Sequence, residues 1–384
     1  MIQQMSTQQK NIQLFVPTFR TEECLEEIRE CLDKGWTGLG FKTVQMEEAW
    51  KEYTKLPHAH YLNSATVGLD MAVQVLKEEN GWKDGDEIIS TPMTFVSTNH
   101  AVLYNNLKVV FADVDEYLCL DPKSVEERIT EKTKAVIFVG LGGNIGRYYD
   151  IVKVCKKHKL KLILDAAHMA GTRVNGEIPG KEADVVVYSF QAVKNCPTGD
   201  SGMICFKEAK HDEIVRKKCW LGINKDTFAR TAGQGAYKWK YDVEYVGYKN
   251  HGNSIMASIG LVSLKYLDRD NAYRRTIAGW YDDAFKGCDK VRPVPMNPIC
   301  EPSRHLYQIL VNNRDELLLA LNNVGIFPGV HYRDNTEYKM YDYAKGTCPN
   351  SLYASEHTLS LPMHMRLTHD DVLYVAEMVK KYAE

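Results

Sequence analysis

The chain has 384 residues, 44% hydrophobic and 26% charged, with 48 basic against 50 acidic side chains and a formal net charge of −2. That length supports one large or two closely joined domains, and the charge balance offers no basic excess for nucleic acid or an anionic membrane. No apolar run reaches the roughly 18 residues of a membrane span, the N-terminus lacks a secretion signal's apolar core, and the ten cysteines form no C-x-x-C pair, so the expectation is a cytoplasmic protein with reduced thiols and no metal.

In chain order, "HYLNSATVGLDMAVQVL" sets Asn63, Ser64, Ala65 and Thr66 just before a helix that continues as "LDMAVQVLKEE". Small and hydroxylated residues there cap a helix, and they also leave N–H groups at its positive end, where phosphate binds. "DEIISTP" and "KVVFADV" are short β-branched strands, and Phe95 follows the first of them, either as a stacking aromatic or as plain core. "DPKSVEERI" is a helix opened by Asp and Pro; "KAVIFVGL", "KLILDAA" and "DVVVYSF" are strands, with "YYDIVKVCKKH" a helix among them. Nearly continuous apolar strands alternating with helices predict an α/β fold with a mostly parallel sheet buried on both faces.

Beyond residue 206 the texture changes. "NSIMASIGLVSLKYLDRDNAYRRTIAGWYDDAF" reads as one or two long helices, and "HLYQILV", "RDELLLALNNVG" and "THDDVLYVAEMVKKY" as a smaller α+β unit. The expected division is a large domain over 1–255 and a small C-terminal domain over 256–384. Arg230, in the charged stretch between them, could meet an anionic group or lie on the surface.

Open parallel sheets bind ligands beyond the carboxyl ends of their strands. "KLILDAAHMAG" brings Asp165 and then His168 to such an end, "DVVVYSF" brings Ser189, and the turn in "SFQAVKNCPTGDSG" brings Lys194. A phosphate seat, a carboxylate able to hold a pyridinium proton and a lysine on a glycine-punctuated turn are the parts of a pyridoxal phosphate site, in which the amine forms a Schiff base with the cofactor aldehyde. A dinucleotide site in "VGLGGNIG" is disfavoured: its glycines miss the G-x-G-x-x-G spacing, and no acid ends a second strand about 20 positions on.

"KGWTGLGFKTVQMEEAW", "GDEIISTPMTFVSTNHAV", "VVFADVD", "ITEKTKAVIFVGLGG", "LDAAHMAG", "YSFQAVKNCPTGDSG", "GVHYR" and "LSLPMHMRLTHDDV" recur in order from about residue 15 to the C-terminus. Together they resemble the DegT/DnrJ/EryC1/StrS aminotransferases, sugar aminotransferases of fold type I. The resemblance implies that Lys194 is the Schiff-base lysine and Asp165 the partner of the pyridine nitrogen. It places His168 near the cofactor's ring hydroxyl, Phe95 on the ring face, Ala65, Thr66 and Ser189 at the phosphate, and Gln191 beside the substrate. His305 and His331 fall in segments near the expected mouth of the site, and each could equally be a satisfied strand histidine.

Three departures from the family pattern stand out. Ala65 occupies the glycine position of a Ser-Gly-Thr turn; "GLGG" at residues 140–143 stands where "HLYG" is common; and "GYKNHGNSIMAS" replaces "GYNYRMSDIQAA", so that Lys249 stands for the Asn usually given by the second subunit to the cofactor phosphate. Lysine can serve a phosphate as a point charge. The resemblance further implies a homodimer that moves an amino group from L-glutamate to a nucleotide-linked keto-sugar. The alternatives are a dehydratase, in which histidine replaces the lysine, and a non-catalytic ligand-binding or regulatory protein on the same fold.

Overall fold

The computed structural model describes residues 11–224 and 241–384. The central sheet has seven strands, β1 (His58–Leu62), β2 (Glu87–Ser90), β3 (Lys108–Phe111), β4 (Thr133–Val139), β5 (Lys161–Asp165), β6 (Val185–Ser189) and β7 (Gly202–Phe206), in the order β1-β7-β6-β5-β4-β2-β3. From β6 to β3 all pairings are parallel, whereas β7 runs antiparallel to both β6 and β1. The predicted strands and the mostly parallel sheet are present.

Both faces of the sheet are buried, which is why its strands read as continuous apolar runs. Ile137, Ile163 and Val187 enter one core with Leu69, Val73 and Leu76 of the helix Ala65–Asn80. Their neighbours Phe138, Leu164 and Tyr188 point the other way, into a core with Met46, Trp50 and Ile151. Each such side chain contributes about 1.5–3 kcal/mol through burial. The helix lies so close to β6 that a Cβ on Gly68 would sit 2.7 Å from Val187 Cγ1.

The strand at 58–62 is absent from the sequence expectations, because two histidines in "HAHYL" dilute its apolar signal. The structure accommodates the buried His60 by having its Nδ1 donate to Glu47 Oε1 at 2.9 Å, an oxygen that also accepts the Tyr61 N–H.

A single 32-residue helix, Ser254–Phe285, follows, opened by Asn253, whose side chain accepts the Met256 N–H at 2.9 Å. At about 1.5 Å per residue it is some 48 Å long. Its start packs Ala257 and Leu267 into the core around Trp50, and its end packs Ile277, Tyr281 and Phe285 into a third core. That third core includes Ile309 and Leu361, from an antiparallel sheet of Arg292–Pro293, Tyr307–Leu310 and Thr358–Leu361, and Val372 and Val375 of the helix His369–Tyr382. Ile12, whose short strand pairs with Ile326–Phe327, joins it from the other end of the chain. Among the described residues, no helix is long and apolar enough to cross a membrane, and no group of three or more His, Cys, Asp or Glu is placed to hold a metal.

Candidate active site

Parallel register sets the site's floor. Asp165 ends β5 opposite Val139 and Val187, so its carboxylate emerges where β4, β5 and β6 finish together. The chain then reverses from β6 to β7 through a turn tied by Phe190 N–H to Ser201 O at 2.9 Å, Thr198 N–H to Phe190 O at 2.8 Å and Lys194 N–H to Gln191 O at 2.8 Å. Gly202 begins β7 because nothing larger fits: a Cβ there would lie 2.6 Å from the Ala65 nitrogen. The start of helix Ala65–Asn80 is thereby pressed against the same sheet end that carries Ser189 and the lysine turn.

These elements enclose a cavity of about 450 Å³. Ser64, Ala65, Thr66, Ser189 and Ser201 line it, as do Phe95, Asp165, His168, Gln191, Lys194, Asp200, His331 and Tyr332. Ser64 is the helix N-cap: its Oγ accepts the Val67 N–H at 3.3 Å and its carbonyl accepts the Gly68 N–H at 3.3 Å. The N–H groups of Ala65 and Thr66, which no helical carbonyl can reach, remain at the positive end of the dipole. That end takes an anion.

Burial dominates the electrostatics. Asp165 is 4% exposed, and desolvation raises its carboxyl above the ordinary range. The Thr98 hydroxyl, which donates to Oδ2 at 2.8 Å, and the Ala167 N–H, which donates to Oδ1 at 3.1 Å, counter that shift. Lys194 is half-buried, and its Nζ has no hydrogen bond or ion pair among the described residues. Desolvation brings its amine down to about 8, partly offset by the charge of Asp165. At pH 7 about a tenth of it is therefore free base, far more than for an ordinary lysine. His168 is held neutral by burial; its Nδ1 accepts the Gly142 N–H at 3.2 Å and its Nε2 lies 3.2 Å from the Tyr332 hydroxyl. His331 is brought down to about 4 by desolvation and by Lys194.

Of the residues singled out in the sequence, Ser64, Ala65, Thr66, Phe95, Asp165, His168, Ser189, Gln191, Lys194 and His331 share this one cavity. Phe95 is 58% exposed at its rim, 6.1 Å from the Tyr332 ring. Two others do not line it. His305 is buried behind His168, with ring centroids 4.3 Å apart, and Lys249 lies with its Nζ 5.4 Å from the centroid of the Trp220 ring. Arg230 lies outside the described residues. The "GLGG" turn also stays out of the cavity: Gly143, at φ +90°, packs so closely on the 303–304 segment that a Cβ there would lie 2.1 Å from Ser303 Oγ, and the Gly142 N–H donates to His168 Nδ1. Sequence reasoning missed Thr98, Asp200, Ser201 and Tyr332. Tyr332 adjoins His331 in "GVHYR", but no periodicity marks it.

The donor set fits pyridoxal phosphate. A helix N-terminus with hydroxyls can hold the phosphate, a buried carboxylate the ring nitrogen, and an unpaired amine the aldehyde, all on one cavity.

Comparison with known proteins agrees. The DegT/DnrJ/EryC1/StrS aminotransferase family matches residues 19–380. The chain is 32% identical over 378 residues to the spore coat polysaccharide biosynthesis protein SpsC of Bacillus subtilis (strain 168), covering 95% of each. Among solved structures, it superimposes on Helicobacter pylori PseC, an aminotransferase involved in the biosynthesis of pseudoaminic acid, with a TM-score of 0.89, 27% identity and coverage of 97% and 99%. Spr1654 of Streptococcus pneumoniae, in its PMP form, matches with a TM-score of 0.88, 28% identity and coverage of 96% and 98%, and that protein is also known in a PLP form. Cavity, fold and likeness over nearly the whole length converge: the chain belongs to the DegT/DnrJ/EryC1/StrS aminotransferase family and is a pyridoxal phosphate-dependent sugar aminotransferase of fold type I.

Proposed function

We propose that this chain moves an amino group from L-glutamate to the ketone of a nucleotide-linked sugar, with Lys194 as the covalent anchor of the cofactor. The observation that carries the assignment is the sharing of one cavity by the partnerless Lys194 amine and the buried Asp165 carboxylate. Bound pyridoxal phosphate supplies an aldehyde for amine capture and an electron sink for the cleavage of a substrate Cα–H bond. Asp165 holds a proton at the ring nitrogen. With cofactor bound, the Lys194 amine would take the proton from the substrate Cα and deliver it to the carbon that had borne the cofactor's aldehyde. Ser64, Thr66 and Ser189, with the N–H groups of Ala65 and Thr66, hold the phosphate, and Phe95 covers one face of the ring. Gln191 and His331 face the space left for substrate.

The cavity, about 450 Å³, falls in the range of small-molecule sites, and Phe95 among its lining residues is exposed. Lys249 stands on a surface loop with exposed Val246 and Tyr248, 90% and 52% accessible, which suits burial against a second copy. In such a homodimer Lys249 would serve the partner's phosphate. A lysine at 194 favours transamination over dehydration.

Lys194→Ala, incubated with pyridoxal phosphate and L-glutamate, is expected to release no 2-oxoglutarate and to lack the visible absorbance of covalently held cofactor. Retained turnover would refute the assignment. Soaking crystals with candidate nucleotide-linked amino sugars tests the acceptor.

A further inference from the structure

Asn195, the residue after the lysine, is only 6% exposed, and its side chain faces away from the cavity into a buried polar hub. Its Nδ2 donates to Asn271 Oδ1 at 2.7 Å and to Ser303 O at 2.7 Å, and its Oδ1 lies 3.0 Å from His305 Nδ1. The orientation of the amide follows from its neighbours. Asn271 uses its own Nδ2 on Ala170 O at 2.9 Å, so the oxygen of that side chain must accept, as must the Ser303 carbonyl. Two acceptors therefore demand the N–H side of Asn195. Its oxygen is left for His305, which must carry its proton on Nδ1.

The hub links the lysine turn to His168 and to the 140–143 turn. Ser303 Oγ donates to His168 O at 2.6 Å, His305 N–H donates to Gly142 O at 3.0 Å, and the His305 ring is sandwiched between Phe15, at 5.2 Å and 11°, and His168, at 4.3 Å. Of the common side chains of this size, only an amide offers two N–H bonds and a carbonyl. Aspartate would face two carbonyl oxygens with a third oxygen.

We propose that Asn195 is a positioning residue, holding the Lys194 turn against the long helix and the 303–305 segment and fixing His305 as the neutral Nδ1–H tautomer beside the active amine. The proposal rests on Lys194 being the cofactor lysine. The groups that face the amine or line the crevice behind it are the carboxylates of Asp165, Asp200 and Asp270, the imidazoles of His168, His331 and His364, the Tyr332 phenol and the Arg274 guanidinium, with His305 behind His168. Holding the imidazoles neutral leaves Asp165 as the charge that Lys194 feels most.

The test traps apoprotein with pyridoxal phosphate and borohydride across pH and quantifies the Lys194 adduct by mass spectrometry. Wild type should reach half-maximal trapping near pH 8, where the amine loses its proton. Asn195→Asp puts a carboxylate into the hub behind the lysine turn, where it faces two acceptors and its charge acts on both His305 and Lys194, and should move that midpoint up by about one unit, with roughly tenfold slower trapping at pH 7. Superimposable curves would overturn the proposal. Should that variant not fold, ¹⁵N–¹H correlation on wild-type apoprotein decides: an Nδ1–H tautomer at His305 is expected, and an Nε2–H tautomer overturns the assignment of Asn195. A chain that forms no Lys194 adduct at any pH would refute the cofactor reading instead, leaving the tautomer measurement to judge Asn195.

Discussion

Thr98→Val removes the hydroxyl that favours the charged form of the buried Asp165 carboxyl, together with that hydroxyl's contact to Thr94 at 2.9 Å. Valine matches threonine in shape, the site is 1% exposed, and the bond removed is 2.8 Å long, so the change trades a donor for a methyl without opening a cavity. A hydrogen bond to a charged group contributes about 1.5–3 kcal/mol. A neutral carboxyl keeps about 1 kcal/mol of that bond, so at about 1.4 kcal/mol per pKa unit the Asp165 carboxyl should rise by a further half to one and a half units. The sign for stability follows. The Asp165 carboxyl already sits above its ordinary range in the native protein, so its contribution to stability is fully present below the unfolded pKa and declines as pH rises through the native one. Removing the donor extends that decline to higher pH. Urea unfolding of the apoprotein should show Thr98→Val less stable by about 1.5–3 kcal/mol at pH 8, shrinking to about 1 kcal/mol at acid pH, where both forms hold a neutral carboxyl. A difference independent of pH would mean that Thr98 acts only by packing.

Other substitutions probe the rest of the cavity. Asp165→Asn should bind cofactor yet slow proton transfer by orders of magnitude in single-turnover absorbance measurements, because a ring nitrogen without its proton is a poor electron sink. Ser64→Ala removes the N-cap acceptor of the helix Ala65–Asn80 and should cost about 1 kcal/mol in urea unfolding and weaken pyridoxal phosphate binding measured by equilibrium titration. Gly143→Ala combines a φ of +90° with a Cβ 2.1 Å from Ser303 Oγ, and should cost about 2–5 kcal/mol by calorimetry, enough to lower soluble yield.

The parts of the fold legible in the sequence are those where one physical demand dominates. β4, β5 and β6 must be apolar on both faces, and Lys194 stands out because the strands either side of its turn otherwise carry no charge. Asp165 is legible for the same reason, as an acid closing an apolar run. Other contributors answer to partners far away in the chain. Thr98 looks like any hydroxyl in a helix's first turn until β5, 67 residues on, brings Asp165 to it. His305 stays undecided between a cavity histidine and a satisfied strand histidine because nothing local shows that Asn195, 110 residues earlier, will accept a hydrogen bond from its Nδ1–H. The strand at 58–62 hides because its buried imidazole is made tolerable by Glu47 on a preceding helix.

The helix from Ser254 to Phe285 runs unbroken from the core around Trp50 to the core around Tyr307. Midway, its Asp270 is clasped by both Arg20 terminal nitrogens at 2.6 Å, and its Arg274 holds Met363 O, so the rod is pinned where a joint would have to form. Heat can then separate the halves of the molecule only by fracturing their common axle, and the two should melt as one.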